Sequence, residues 1–213
     1  MTTAKQFKLA QVADTPPTTS QILAILSVAD FKTEHRILHS AEDTKIQDCI
    51  YEAYHRIDGP SGQLNRAILT QTWTGYLDKF DGSMELPLPV LQSVSSVNYL
   101  DEDGDWQVLA TTVYGSITTE FFGKVYLKKD QTWPSIHSEP NSVKITFVAG
   151  WGVGADVLVK AYNIRKILKL LAGHFYFNPT PTFVEPRLVE VPRKVWFGLE
   201  YLLGQYRIMN DPS

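Results

Sequence analysis

The chain has 213 residues with 20 Lys+Arg against 23 Asp+Glu, a formal net charge of −3, and one cysteine. A single cysteine excludes an internal disulfide framework, and a pI near 5.9 argues against nucleic-acid binding by bulk positive charge. With 44% hydrophobic and 20% charged residues, the chain is globular in composition, and its length suits one domain or one domain carrying an insertion.

The first 26 residues carry Pro16-Pro17 and a cluster of threonines, which predict an arm or loop leading into a short apolar strip, Ile22 to Leu26. The opening residues lack the basic segment and apolar core of a signal peptide, so an unexported protein is expected. Ser27 followed by Asp30 has capping-box spacing and opens a helix to about Arg36; Ser40 followed by Asp43 repeats the pattern. The helix after Ser40 carries Ile46, Cys49, Ile50, Ala53, Tyr54 and Ile57 at three- and four-residue steps, one buried stripe. Gly59-Pro60 stops it, glycine by accepting a left-handed conformation and proline by being unable to continue.

Between Leu69 and Trp151 the period changes. Threonine, valine and aromatics dominate, and turn signals recur at Asp81-Gly82, Asp103-Gly104, Phe122-Gly123 and Pro140-Asn141. Val143 to Phe147 alternates apolar with polar, as does Lys124 to Lys128 with Val125 and Leu127 on one side. Five or six such strands predict a small antiparallel sandwich or barrel.

Helical spacing returns after Gly154, with Asp156 as the expected cap and Val157, Ala161, Ile164, Leu168, Leu171 and Phe175 as one stripe, closed by Pro179 and Pro181. The apolar run Val157 to Phe177 contains Lys160, Arg165, Lys166 and Lys169, so it is no membrane span; those cations read as the solvated back of an amphipathic helix rather than a phosphate-binding stripe. Pro192 suits the first position of a last helix, with Val195, Leu199, Leu202, Leu203 and Tyr206 inward and Gly198 and Gly204 as sites of close helix contact. The expected fold class is α+β: a four-helix-type bundle of two N-terminal and two C-terminal helices with an inserted small antiparallel sandwich or barrel. Its parts are an arm over 1–26, a bundle over 27–68 and 152–208, a β domain over 69–151 and a tail over 209–213.

The candidates for chemistry resolve to structure. Asp101-Glu-Asp-Gly-Asp resembles the start of a calcium loop, but the sixth and twelfth positions are Trp106 and Thr112 instead of Gly and Glu. Gly150-Trp-Gly-Val-Gly lacks dinucleotide spacing and the lysine of a phosphate loop. His35 and His39 are four apart, yet the break before Ser40 spoils a shared helix face; His55 and His137 lack a nucleophile setting, and His174 reads as buried or partly buried. Cys49 lies on the apolar stripe. No catalytic, cofactor-binding or metal-binding residues are assigned, and the chain is read as non-enzymatic.

The ordered strings Leu69-Thr-Gln-Thr-Trp73, Glu85-Leu-Pro-Leu-Pro89, Leu91-Gln-Ser-Val94, Tyr99-Leu-Asp-Glu-Asp-Gly104, Gln131-Thr-Trp-Pro134 and Phe147-Val-Ala-Gly-Trp-Gly152 carry a resemblance. In order and spacing they resemble the head–tail connector (adaptor) family of tailed bacteriophages and related gene-transfer particles, from about Ser27 to Tyr206. The resemblance implies a structural virion protein forming a ring, usually of twelve subunits, beneath the portal. Such a ring extends the DNA channel and docks the next stopper or tail-terminator protein. It further implies that DNA passes without sequence-specific binding, that no cofactor or membrane is involved, and that the protein resides in the virion neck after assembly in the host cytoplasm. By position, Tyr206, Arg207, Ile208, Met209, Asn210 and Asp211 become candidate portal contacts. Two other readings stand beside it: a tail-side stopper, tail-completion or baseplate component, and a glycan-binding or glycan-cleaving module. The last requires a carboxylate pair that Glu185, Glu190 and the acidic hairpin tip do not supply.

Overall fold

The computed structural model describes residues 8–9, 13–119, 122–178 and 193–208, with the side chains of 193–197 left aside. It is α+β, and the chain falls into two compact units. One holds Pro17–Leu69 with Trp151–Met209, the other Met1–Pro16, Thr70–Gly150 and Asn210–Ser213.

The helical unit contains six helices among the described residues rather than four: α1 (Thr19–Leu23), α2 (Val28–His35), α3 (Asp43–Ile57), α4 (Gly154–Lys160), α5 (Asn163–Phe177) and α6 (Arg193–Gly204). The extra helix α1 falls in what sequence reads as arm or loop. Thr18 caps it, and Gln21 returns the bond to the Thr18 amide at 2.8 Å, while Ile22 is buried. Ser27 caps α2 as its spacing predicts, its hydroxyl accepting from the Asp30 amide at 3.0 Å, and Arg36 ends the helix at φ 57°.

The Ser40 box does not form. Lys32 Nζ takes the Asp43 carboxylate at 2.7 Å, so the group that would answer Ser40 is engaged with α2, and α3 starts three residues later than expected. The α3 stripe itself holds: Ile46, Cys49, Ile50, Ala53, Tyr54 and Ile57 are all buried, and Gly59 sits at φ 79°.

The helix expected over 156–177 is two. Ala161 leaves helical geometry at φ −140°, and Lys160 turns its ammonium back to the Trp151 carbonyl at 2.8 Å. Asp156 is not the cap; it stands in the first turn and accepts from the Val153 amide at 3.1 Å. Val157, Ala161, Ile164, Leu168 and Leu171 are buried, with Ile167, Ala172 and Tyr176 completing the α5 face. Gly152 has φ +135°, and a Cβ there would lie 2.3 Å from Asp156 Oδ2, which restricts the β-to-α corner to glycine. Gly198 and Gly204, expected at close contacts, have open space where a Cβ would go. Pro179, Pro181, Glu185, Glu190 and Pro192 lie outside the described residues.

The β unit is two open antiparallel sheets rather than a closed barrel. The larger runs β1-β2-β8-β4-β5, built from Lys8–Leu9, Gln71–Leu77, Val143–Ala149, Leu91–Leu100 and Trp106–Val108. The smaller runs β3-β7-β6, from Ser83–Leu86, Gly123–Leu127 and Tyr114–Thr118. Central β2 and β8 alternate strictly, with Trp73 opposite Phe147 and both buried, because one face is core and a one-residue slip would expose it. Strand β4 slips register twice against β8, between Leu91 and Ser93 and between Val94 and Ser96. These bulges erase its alternation. Gly123 opens β7 instead of forming a turn; a Cβ there would lie 2.6 Å from that of Leu91. The early part of the arm belongs to this unit: Lys8 and Leu9 pair with Tyr76 and Gly75, and the Asp14 amide donates to the Thr72 carbonyl at 2.8 Å.

Candidate functional site

The candidate segment begins where α6 ends. The α3 exit prepares its seat. Gly62 lies so tightly over the helix end that a Cβ would sit 2.3 Å from the Asp58 carbonyl oxygen. That turn lets the amides of Gln63 and Leu64 donate back to the carbonyls of Arg56 and Ile57, at 3.0 and 3.2 Å, satisfying acceptors the helix end leaves open. The carbonyls of Gln63 and Leu64 face the other way and receive the C-terminal segment. Arg207 Nε donates to the Gln63 carbonyl at 2.9 Å, the Ile208 amide donates to the Leu64 carbonyl at 3.0 Å, and Asn65 Nδ2 donates to the Ile208 carbonyl at 3.4 Å.

Tyr206 presents its ring to Trp151 at 5.6 Å and 80°, and the opposite partner of Trp151 is the Arg66 guanidinium, 4.7 Å from the indole centroid. Burial is the main cause that raises the Tyr206 hydroxyl above its ordinary pKa. Arg207 also approaches Glu200 at 3.4 Å. Of the six candidate portal contacts, Arg207 and Ile208 are thus seated on the turn after α3, and Tyr206 beside them packs on Trp151. Met209, Asn210 and Asp211 lie outside the described residues. Gln63, Leu64 and Asn65, which hold the segment, are absent from the sequence reading; the only local signal for them is the glycine spacing Gly59 and Gly62.

The other residues singled out for chemistry are dispersed. The Asp101 carboxylate accepts from the amides of Asp103 and Asp105 at 3.1 and 2.9 Å and from Gln107 Nε2 at 2.8 Å. These bonds, the Asp105 amide foremost, hold it below the usual carboxylate range. Cys49 is buried, and burial pushes its thiol up, away from nucleophile character. His35 packs against Phe31 at 4.4 Å and Phe177 at 5.2 Å, whereas His39 is exposed and 3.9 Å from Glu42. His55 lies on Tyr51 at 4.2 Å, His137 approaches Glu139 at 4.0 Å, and His174 is exposed rather than buried. Among the described residues, no three His, Cys, Asp or Glu side chains converge as a metal site, and no helix is long and apolar enough to cross a membrane.

The α5 cations are not a free stripe. Arg165 pairs with Asp30 at 2.6 Å, Lys169 with Glu34 at 2.7 Å and Lys166 with Glu34 at 3.8 Å.

These two units define an α+β fold whose helical part is assembled from chain segments that precede and follow the strands in sequence. No protein-family model and no curated protein matches the sequence. Solved structures do match in fold. A chain from the virion of a native gene transfer agent particle is 19% identical with TM-score 0.69, covering 94% of this chain and 96% of that one. Chains from the neck of the empty particle, computed with C6 symmetry, and of the native particle, computed with C12 symmetry, are 17% and 15% identical. Their TM-scores are 0.68 and 0.67, over 94% of this chain and 97% of each of theirs. At this identity the likeness is one of fold.

Proposed function

We propose that the chain is a non-enzymatic neck protein of a tailed-phage-like particle, an adaptor that assembles as a ring beneath the portal. The ring, a dodecamer, extends the DNA channel and offers the platform on which a stopper or tail-terminator protein docks. The observation that carries this reading is the near full-length likeness of fold to chains of a particle neck solved with C6 and C12 symmetry. The order of the six sequence strings supports it. So does the engagement of the α5 cations by Asp30 and Glu34, because a channel through which DNA slides is served by few unpaired phosphate-binding groups. A ring subunit needs two non-identical lateral patches, since head-to-tail contacts close only if the rotation returns on itself.

The test is the mass of the purified protein alone and mixed with its cognate portal, followed by imaging of the complex. A ring stacked on the portal, with residues 206–213 at the contact, is the expected outcome. A persistent monomer that ignores the portal, found below the neck ring in labelled particles, would move the chain to the tail-side reading.

A further inference from the structure

The five-stranded sheet ends in two unlike edges. At one, the chain covers β2 itself, with Lys8 and Leu9 paired to Tyr76 and Gly75 and the Thr72 amide bound to Thr15 at 3.0 Å. At the other, β5 is bare: Trp106, Gln107 and Val108 are all exposed, Val108 by 72%.

The register fixes which backbone groups of β5 face outward. The Leu109 amide donates to the Val97 carbonyl at 2.8 Å, and the Asp101 amide to the Asp105 carbonyl at 3.0 Å. These bonds bracket Tyr99 opposite Gln107. In an antiparallel ladder, hydrogen-bonded and non-bonded pairs alternate, so Gln107 turns its N–H and C=O to β4. Trp106 and Val108 therefore turn theirs away, to the open edge. Among the described residues nothing pairs with these groups. Their side chains share one face, where Lys144 Nζ lies 4.8 Å from the Trp106 ring centroid. Proteins ordinarily guard such an edge with charge, proline or a covering segment.

The exposed charge at the hairpin tip is all acidic, while Lys144 is the cation over the Trp106 face. Glu102, Asp103 and Asp105 at the hairpin tip are exposed, and among the described residues no lysine or arginine reaches their carboxylates. Asp101 is turned inward, to the amides of its own turn. A strand laid along Trp106 and Val108 thus ends against three uncompensated carboxylates.

We infer that the outer edge of β5 receives an extended, lysine- or arginine-bearing strand of a partner protein. Main-chain bonds to Trp106 and Val108 hold it, and the tip carboxylates select its charge. The inference does not depend on the neck reading.

The probes are two fluorescein-labelled peptides, Lys-Val-Thr-Val-Lys and Glu-Val-Thr-Val-Glu, added to the full chain. The basic peptide is expected to bind at least tenfold more tightly, to weaken with added salt, and to slow amide hydrogen exchange at Trp106 and Val108 but not at Gln107. Val108→Pro removes only an outward N–H and should lose tenfold or more in binding with its melting unchanged. Should the proline variant fail to fold, Glu102→Gln with Asp103→Asn and Asp105→Asn, all at the exposed tip, tests the same point by abolishing the preference for the basic peptide. No binding of the basic peptide, equal binding of the two, or a preference that survives loss of the tip carboxylates overturns the inference. So does protection of Trp106 and Val108 that grows with protein concentration and needs no peptide, because the edge then takes a second copy of this chain.

Discussion

Two truncations separate the structural from the docking role of the C-terminal segment. Deleting residues 209–213 leaves every bond to the α3 exit in place. Deleting 207–213 removes the Arg207 bond to the Gln63 carbonyl, the Ile208 bond to the Leu64 carbonyl and the Asn65 bond to Ile208. A hydrogen bond from a charged donor contributes about 1.5–3 kcal/mol and a neutral one about 0.5–1.5 kcal/mol. The 3.4 Å contact from Asn65 is long and counts for little. The longer deletion therefore costs about 2–4 kcal/mol, and at about 2–4 °C per kcal/mol for a chain of this size, Tm falls by roughly 5–15 °C. The shorter deletion spares the bonds of Arg207 and Ile208 and should leave Tm within about 2 °C. Differential scanning calorimetry measures both, and a portal pull-down follows. Both truncations should lose portal attachment if the segment enters the portal. Equal melting of the two would refute the seat on Gln63 and Leu64; portal attachment by both would remove the segment from the docking surface.

The remaining predictions concern the core and its charges. Ile50 is fully buried on α3, so Ile50→Ala should cost about 2–5 kcal/mol in urea unfolding, and Ile50→Asp, which buries an unpaired carboxylate, should leave no folded protein to titrate. Burial holds the imidazoles of His35 and His55 below their ordinary 6.5. The unfolded chain then takes up those protons first, so stability is full above pH 6.5 and falls as pH drops below it. Glu34 faces His35 and opposes the shift, whereas Lys169 and Lys166 reinforce it. The carboxylates held low, Asp30 by Ser27 first and Glu34 by Lys169 first, act in a separate window, losing their contribution only as pH falls through about 4. Melting at pH 7.5 and 5.5 should accordingly differ less in His35→Gln than in the parent; an unchanged difference would rule His35 out as a source. For Lys169 and Glu34, partly exposed, a double-mutant cycle should give a small favourable coupling that shrinks with added salt, and no coupling at low salt would make the pair incidental.

What could be read in advance were features set by neighbours along the chain. The α3 stripe, the Ser27 cap and the alternation of β8 each rest on residues two to four apart, and each stands. Some of the misreadings are places where a residue of another element claims a local group, and others are local groups that serve a different bond. Ser40 and Asp43 have the spacing of a cap, yet Lys32 on another helix holds the Asp43 carboxylate. Asp156 looks like a cap and serves instead as acceptor for the corner at Val153. Strand β4 has no legible alternation because two bulges shift it against β8, and a bulge is defined by its partner strand.

The candidate docking segment shows the same division more sharply. Its residues could be chosen only by position, since Tyr206, Arg207 and Ile208 carry no motif of their own. What gives Arg207 and Ile208 a fixed place is a pair of carbonyls 144 residues earlier, where Gly62 folds the chain back on the end of α3, while Tyr206 rests on Trp151. The α4 and α5 cations make the complementary case. In sequence, Lys160, Arg165, Lys166 and Lys169 read as a solvated helix back rather than a phosphate-facing stripe, but charge counting names no partner for any of them. Glu34, 135 residues before Lys169, takes Lys166 and Lys169, Asp30 takes Arg165, and Lys160 donates to the Trp151 carbonyl, so all four cations serve contacts within the helical unit.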